Sequence, residues 1–303
     1  MSQTDRPAPR PLAARVPSVG ATARVLLLAL LAVFFGLPLL WLLLAPSKMN
    51  NEFVGLPPLA FGALEGYARA LGNLLDYKDG QIVLWTWNSV WYTAAAMIIG
   101  LVISIPAGYA LATSQFRGRR LILWLTLIAL IVPASALVLP LFLELNLVGL
   151  VGSPWSVILP TAFFPFGVYL AYVFYATSIP KDLLAAGRVD GCGEWQLFRY
   201  VSLPLSGTLI GLLAFLSFVA NWNNYFLPFV MLNDDKSYTL AVGLQALITG
   251  TPMVAPNMAG TDTLLKRPEG ALMGLLMVLP LAIVFIAAQR YVVRGALTGA
   301  VKE

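Results

Sequence analysis

Six long apolar runs separated by polar segments dominate the chain. They cover residues 25–44, about 88–112, 121–143, about 155–176, about 206–232 and about 271–291. About 20 apolar residues cross a bilayer as a helix, so each run predicts one membrane span. Gly36 and Pro38 lie inside the first run, and Pro280 lies in the middle of the sixth. Proline in a membrane helix predicts a kink, tolerated where neighbours satisfy the freed carbonyl. The pattern predicts an all-α integral membrane protein with six transmembrane helices.

Composition narrows the function classes. Charged residues make up 11% of the chain and hydrophobic ones 59%, against roughly 25% charged in a soluble domain. Mean hydropathy is +0.81. One cysteine excludes a disulfide framework within the chain. The absence of histidine removes the commonest metal ligand and the commonest general base. There is no glycine-rich phosphate loop ending in Gly-Lys-Ser/Thr, no His/Cys cluster and no nucleophile elbow, so neither a catalytic residue nor a metal ligand is assigned.

The net charge of +5 has a membrane explanation and does not call for nucleic acid. With the N-terminus inside, 13 basic residues fall in cytoplasmic segments and 6 outside, while acidic residues split 5 inside and 9 outside. Basic residues mark the cytoplasmic side, so the reading is N-in and C-in. Trp85, Trp87 and Trp155 fall near span ends, where interfacial tryptophans often sit. Residues 1–24 read as a flexible cytoplasmic tail; the apolar run behind them is longer than a signal peptide's and is not followed by a clean cleavage site. The predicted organisation is that tail, a first transmembrane helix at 25–44, an outer loop at 45–84, a five-helix core at 85–292 and a cytoplasmic tail at 293–303. The outer loop at about 233–270 is turn-rich, with Gly250, Pro252, Pro256 and Gly260.

The most informative polar segment is 179–205, between the fourth and fifth runs. Pro180 suits the first turn of a helix, and Asp182 sits near the positive end of its dipole. Leu183, Ala186 and Gly187 are spaced to share a small apolar face. Asp190-Gly191 stops the helix. Residues 194–200 predict a second short helix with Trp195 and Phe198 on one side, and Leu203-Pro204-Leu205 leads into the fifth span. On these residues alone, the segment is either an amphipathic loop on the membrane surface or a docking knob.

Within the fifth run, Asn221, Trp222, Asn223, Asn224 and Tyr225 form the densest polar-aromatic cluster in a span. Amides in hydrocarbon are costly unless paired or facing water. They either line a polar path or bond between helices.

The segment 179–205 resembles the EAA loop by which permeases of ABC importers dock on their ATPases. That pattern runs Pro-x-Glu-Leu-x-Glu-Ala-Ala-x-Ile-Asp-Gly-Ala, then Phe and Leu-Pro. The matching positions here are Pro180, Asp182, Leu183, Ala185, Ala186, Gly187, Val189, Asp190, Gly191, Cys192, Phe198, Leu203 and Pro204. Ala185 stands where the pattern has its second Glu, and Gly187 where it has its second Ala. The resemblance extends over residues 85–303 through Asn88-Ser89, the run from Ala107 to Ala112, Pro140-Leu141-Phe142, Leu147 to Leu150, Trp222-Asn223 and the ending Gly299-Ala300-Val301-Lys302-Glu303. In this order the pieces resemble the second permease subunit of maltose-type carbohydrate importers.

The resemblance implies a type I ABC importer permease fold in the bacterial inner membrane. It implies a second permease subunit, two ATPase subunits and an extracytoplasmic substrate-binding protein as partners, besides membrane lipid. ATP and magnesium would sit on the ATPase, with no cofactor on this chain. Asp182, Leu183, Ala185, Ala186, Gly187, Asp190, Gly191 and Phe198 would couple to the ATPase, with Asp182 the principal polar contact in place of the missing Glu. Asn221 to Tyr225 would line the substrate path. Gly250, Thr251 and Pro252 would form the tip of an outer loop reaching the binding protein. Sugar uptake by alternating access is the expected function, with glycerol phosphate or another polyol as the alternative cargo. A secondary transporter is the competing class, but such proteins often carry ionisable residues mid-membrane, and these runs have none. Glu144 lies at an outer span end.

Overall fold

A computed structural model describes residues 19–250 and 265–300. Among them, four helices are long and apolar enough to cross a membrane, and two bent helix pairs raise the number to six if each is one span. The all-helical membrane architecture follows from the apolar runs, because a bilayer leaves backbone groups no partner but each other.

The first span is α1 (Val19–Leu44), whose apolar side chains are exposed along nearly its whole length. The segment expected as an outer loop at 45–84 is instead largely helical. It holds a 3-10 turn at Ala45–Ser47, one turn at Glu52–Gly55 and the amphipathic α2 (Leu64–Asp76). Its polar groups close on themselves. The ammonium of Lys48, only 1% exposed, donates to the carbonyls of Pro57 and Pro58 at 2.8 and 2.9 Å, and Arg69 donates to the Lys48 carbonyl at 2.8 Å. Ser47 carbonyl accepts from Ala63 N–H at 2.9 Å. A long loop here would leave such groups without partners.

The central element is α3 (Gln81–Thr113). It contributes to all three apolar clusters: Ile82 and Trp85 at the outer end, Tyr92 and Ala96 in the middle, Ile105 and Tyr109 at the inner end. Its buried Gly100, Ser104 and Gly108 recur every four residues and so share one face. A side chain added at Gly108 would meet Ala171, with the backbone nitrogen of Tyr172 2.7 Å away. Small residues of this kind let membrane helices approach closely.

The third run does not form one continuous span. It splits into α4 (Arg119–Ile131) and α5 (Ala134–Leu147), bent by 107°. The break is at Val132-Pro133, where Val132 is extended. Proline disfavours the helical conformation of the residue before it. The fourth run breaks the same way, more gently, between α6 (Trp155–Ala162) and α7 (Pro165–Thr177), at Phe163-Phe164 before Pro165. The helix α8 (Lys181–Val189) follows.

The fifth run is also shorter than expected. Its helix α9 (Gly207–Trp222) ends at Trp222, and the chain resumes as α10 (Phe226–Met231). After α11 (Leu240–Gly250), the last helix α12 (Arg267–Ala300) continues through most of the residues expected as a C-terminal tail.

Trp85 also departs from expectation. It is 2% exposed, so it is a core residue, while Trp87 and Trp155 are exposed. Its indole N–H donates to the Asp235 carbonyl at 2.7 Å. Gln81 donates to the same carbonyl, Asn88 to those of Lys236 and Tyr238, and the Tyr92 hydroxyl to that of Ser237. Residues 81, 85, 88 and 92 share one helical face. That face ties down the segment 234–239, whose own 3-10 turn at Asp235–Ser237 makes only local hydrogen bonds.

Candidate functional site

Three helix breaks meet at one cavity. Its volume is about 690 Å³, and its lining includes Val132 from the first break, Phe163 and Phe164 from the second, and Asn224 from the third. Leu125, Ser135, Thr161, Ser217 and Asn221 also belong to its wall. The wall is mostly apolar with a few hydroxyl and amide groups, as small-molecule sites commonly are. Non-helical backbone at membrane depth is tolerated where it lines a cavity, and broken helices mark substrate sites in other transporters.

The five residues of the polar-aromatic cluster do not act as a unit. Asn221 and Asn224 line the cavity. Asn221 donates to the Ser217 carbonyl at 2.9 Å and to its hydroxyl at 3.2 Å, one turn back in its own helix. Asn223 is exposed and donates to the Val219 carbonyl, again within its own helix. Trp222 turns away from the cavity. It is 3% exposed, donates to the Met277 carbonyl of α12 at 3.0 Å and stacks on Phe218. Tyr225 stacks on Phe229 with ring centroids 5.3 Å apart. Bonding between helices thus falls to Trp222, which leaves Asn221 and Asn224 facing the cavity. The sequence signal for the other two breaks was the proline after each, Pro133 and Pro165.

After the fourth run, α8 and the segment behind it form a compact helical unit. The helix starts after Pro180 and ends at Asp190, and Gly191 follows at φ +84°, a conformation suited to glycine. The small apolar face grouped by the spacing is split, with Gly187 half-buried and Leu183 and Ala186 exposed. Leu184 is buried, and Gly187 abuts Leu197, whose Cδ2 lies 2.5 Å from where a side chain would start. Leu183 and Ala186 face outward, as do Asp182, Ala185 and Asp190. Phe198 is buried under the knob, between Tyr109 and Trp195. The expected second helix begins as a single turn at Glu194–Gln196 and then widens into a π-helical stretch, Leu197–Ser202. The chain then bends by 77° into α9.

The knob exposes large apolar side chains: Val189 at 88%, Tyr200 at 74% and Trp195 at 68%. Its own ion pair joins Arg188 and Glu194 at 2.8 Å, and the Arg188 guanidinium holds the Glu194 carboxyl below the usual carboxylate range. Asp182 is exposed and makes no ion pair among the described residues. Of the three outer-loop residues expected at the tip, Gly250 ends α11, while Thr251 and Pro252 lie outside the described residues.

No group of His, Cys, Asp or Glu able to hold a metal occurs among the described residues.

Comparison with known proteins follows this geometry. Residues 104–297 match the family described as binding-protein-dependent transport system inner membrane component. The chain is 34% identical over 279 residues to an arabinooligosaccharides transport system permease protein of Halalkalibacterium halodurans, covering 91% of this chain and 93% of that one. It is 28% identical over 293 residues to a lactose transport system permease protein of Rhizobium radiobacter, covering 95% and 97%. Among solved structures, a chain of a bacterial ABC transporter that imports the acidic polysaccharide alginate superposes with a TM-score of 0.78 at 20% identity, covering 93% of this chain and 99% of that one.

Proposed function

This chain belongs to the family of binding-protein-dependent transport inner membrane components, and on that premise we propose that it carries a carbohydrate across the membrane as half of a two-permease pathway. As a permease component it is not the catalytic subunit, and its family works with an ATPase and a binding protein. The carbohydrate reading draws on relatives that transport arabinooligosaccharides and lactose. The observation that supports it most is the convergence of three helix breaks and two asparagines, Asn221 and Asn224, on one cavity. Amide groups hydrogen-bond sugar hydroxyls, and the apolar wall offers faces for the ring's C–H surface.

A sister permease completes the path, and two ATPases dock below, one on the knob at 179–205. ATP and magnesium are held by the ATPases. Asp182, Leu183, Ala185, Ala186 and Asp190 present the docking face, and Asp182 is its principal polar contact. Closure of the ATPase pair moves the knob and rocks the bundle outward-open; hydrolysis returns it. The break at 223–225 places Asn224 where α9 ends, so a rigid-body tilt of α9 changes the amide's access to the cavity.

Reconstitution with the sister permease, ATPase and binding protein tests this reading. Uptake of a labelled oligosaccharide into proteoliposomes should require ATP and the binding protein. Asn224→Ala should lower uptake at least tenfold with assembly intact. Asp182→Asn should lower ATPase stimulation and uptake together; wild-type values would remove Asp182 as the contact. A thermal-shift screen of the binding protein identifies the cargo. Stabilisation only by glycerol phosphates would reject the carbohydrate.

A further inference from the structure

The docking face lacks the acid at position 185, yet the knob carries a half-exposed carboxylate, Glu194, that bridges α8 and α3. Glu194 stands just after the turn that ends α8. Its Oε1 accepts from Arg188 Nε at 2.8 Å, and its Oε2 accepts from Arg188 Nη2 at 3.3 Å. Paired donors of this kind fix direction as well as distance, because the guanidinium fork is planar. The same Oε2 accepts from the Tyr109 hydroxyl at 3.5 Å. Tyr109 lies on α3 and is 4% exposed, its ring edge-on to Tyr175 at 5.4 Å and packed on Phe198 at 5.0 Å.

Glu194 therefore stands between the last turn of the docking helix and the helix that threads all three apolar clusters. The other contacts holding α8 are apolar or local. Leu184 plugs into the cluster of Tyr109, Tyr175, Leu197 and Phe198, and Cys192 N–H closes the turn on the Gly187 carbonyl at 2.9 Å. An apolar plug holds a helix down but is non-directional, so it leaves the roll of α8 about its own axis weakly determined. The fork from Arg188 to Glu194 determines that roll.

We propose that Glu194 is a positioning residue for energy coupling, orienting α8 through Arg188 so that a push on the docking face reaches α3 through Tyr109. This rests on the importer reading above. Both partners of the pair are about half exposed, at 42% and 51%. A pair this exposed contributes little to folding. Its loss should therefore appear in coupling while thermal stability stays unchanged, which a merely structural role would not produce.

The test uses the complete transporter in proteoliposomes, reading ATP hydrolysed per sugar imported, co-purification with the ATPase and melting temperature. Glu194→Gln and Arg188→Gln should each raise the ATP-to-sugar ratio at least threefold, with melting temperature and ATPase content unchanged. The exchanged pair, Arg188→Glu with Glu194→Arg, should return the ratio to within twofold of wild type. A wild-type ratio in Glu194→Gln overturns the proposal, as does an exchanged pair no better than the single variants. Should Glu194→Gln fail to assemble, Tyr109→Phe, which removes only the hydroxyl, is read in the same assay, and an unchanged ratio overturns the proposal. A wild-type transporter without ATP-dependent uptake refutes the importer reading itself, a failure visible before any variant is measured.

Discussion

The contact between α3 and α7 at Gly108 offers the sharpest test of how this bundle holds its shape. A methyl group at Gly108 would lie 2.7 Å from the backbone nitrogen of Tyr172 and 2.8 Å from the Ala171 carbonyl carbon, with the Ala171 methyl closer still. Ordinary contacts between such atoms begin near 3.5 Å, so the helices must part by about 1 Å. The obstructing atoms are backbone, so no side-chain rotation can relieve them. Overpacking costs about 1–3 kcal/mol, and the upper half of that range applies where backbone is struck. Alanine regains about 1 kcal/mol of helix propensity over glycine. The net cost of Gly108→Ala is then about 1–2 kcal/mol, a fall of about 5- to 30-fold in the ratio of folded to unfolded protein. Unfolding by added dodecyl sulfate in mixed micelles, followed by near-ultraviolet circular dichroism, measures it. Gly36→Ala is the control, because nothing lies within 4 Å of that position; it should be neutral or slightly stabilising. Gly108→Ala unfolding at or above the wild-type midpoint, alongside Gly36→Ala, would refute the close-approach argument.

Asn88→Ala leaves the carbonyls of Lys236 and Tyr238 without their donor. It should destabilise by about 1–3 kcal/mol and increase hydrogen exchange at 236–240 selectively. Lys48→Met strands the Pro58 carbonyl and leaves the Pro57 carbonyl with only the Ala60 N–H, so the segment 45–63 should become protease-sensitive while the micelle-buried spans stay protected. The Lys78 ammonium, 3.0 Å from Asp235, holds the Asp235 carboxyl below its ordinary value of 3.8. The sign follows: the pair's stabilisation is fully present above that value and is lost as pH falls through the lowered one. Both groups are exposed, so it amounts to no more than about 1 kcal/mol. Asp235→Asn should remove that part of the acid dependence of the melting temperature and leave the neutral-pH value within a few degrees.

Membrane class, up to six spans and the short helix at α8 were legible in the linear chain, because each depends on a local property. A run of apolar residues such as 25–44 inserts whatever its neighbours do, and Asp190-Gly191 ends α8 through its own backbone preference. The prolines gave no clear guide to the breaks: Pro133 and Pro165 follow two of them, yet Pro38 and Pro280 lie inside unbroken helices, and hydropathy read straight through both breaks. What the linear chain did not reveal is direction. Spacing grouped Leu183, Ala186 and Gly187 on one face of α8, while packing half-buries Gly187 against Leu197, buries Leu184 and leaves Leu183 and Ala186 exposed. Five consecutive residues, Asn221 to Tyr225, read as one polar patch, yet Trp222 turned to α12 and only Asn221 and Asn224 reached the cavity. The roles of Gln81, Asn88 and Tyr92 were hidden for the same reason, since the carbonyls they satisfy lie some 150 residues further along. Local chemistry determines that a helix forms and that it enters a bilayer. Which of its faces meets a partner depends on where distant segments find room, and only the packed tertiary structure decides that.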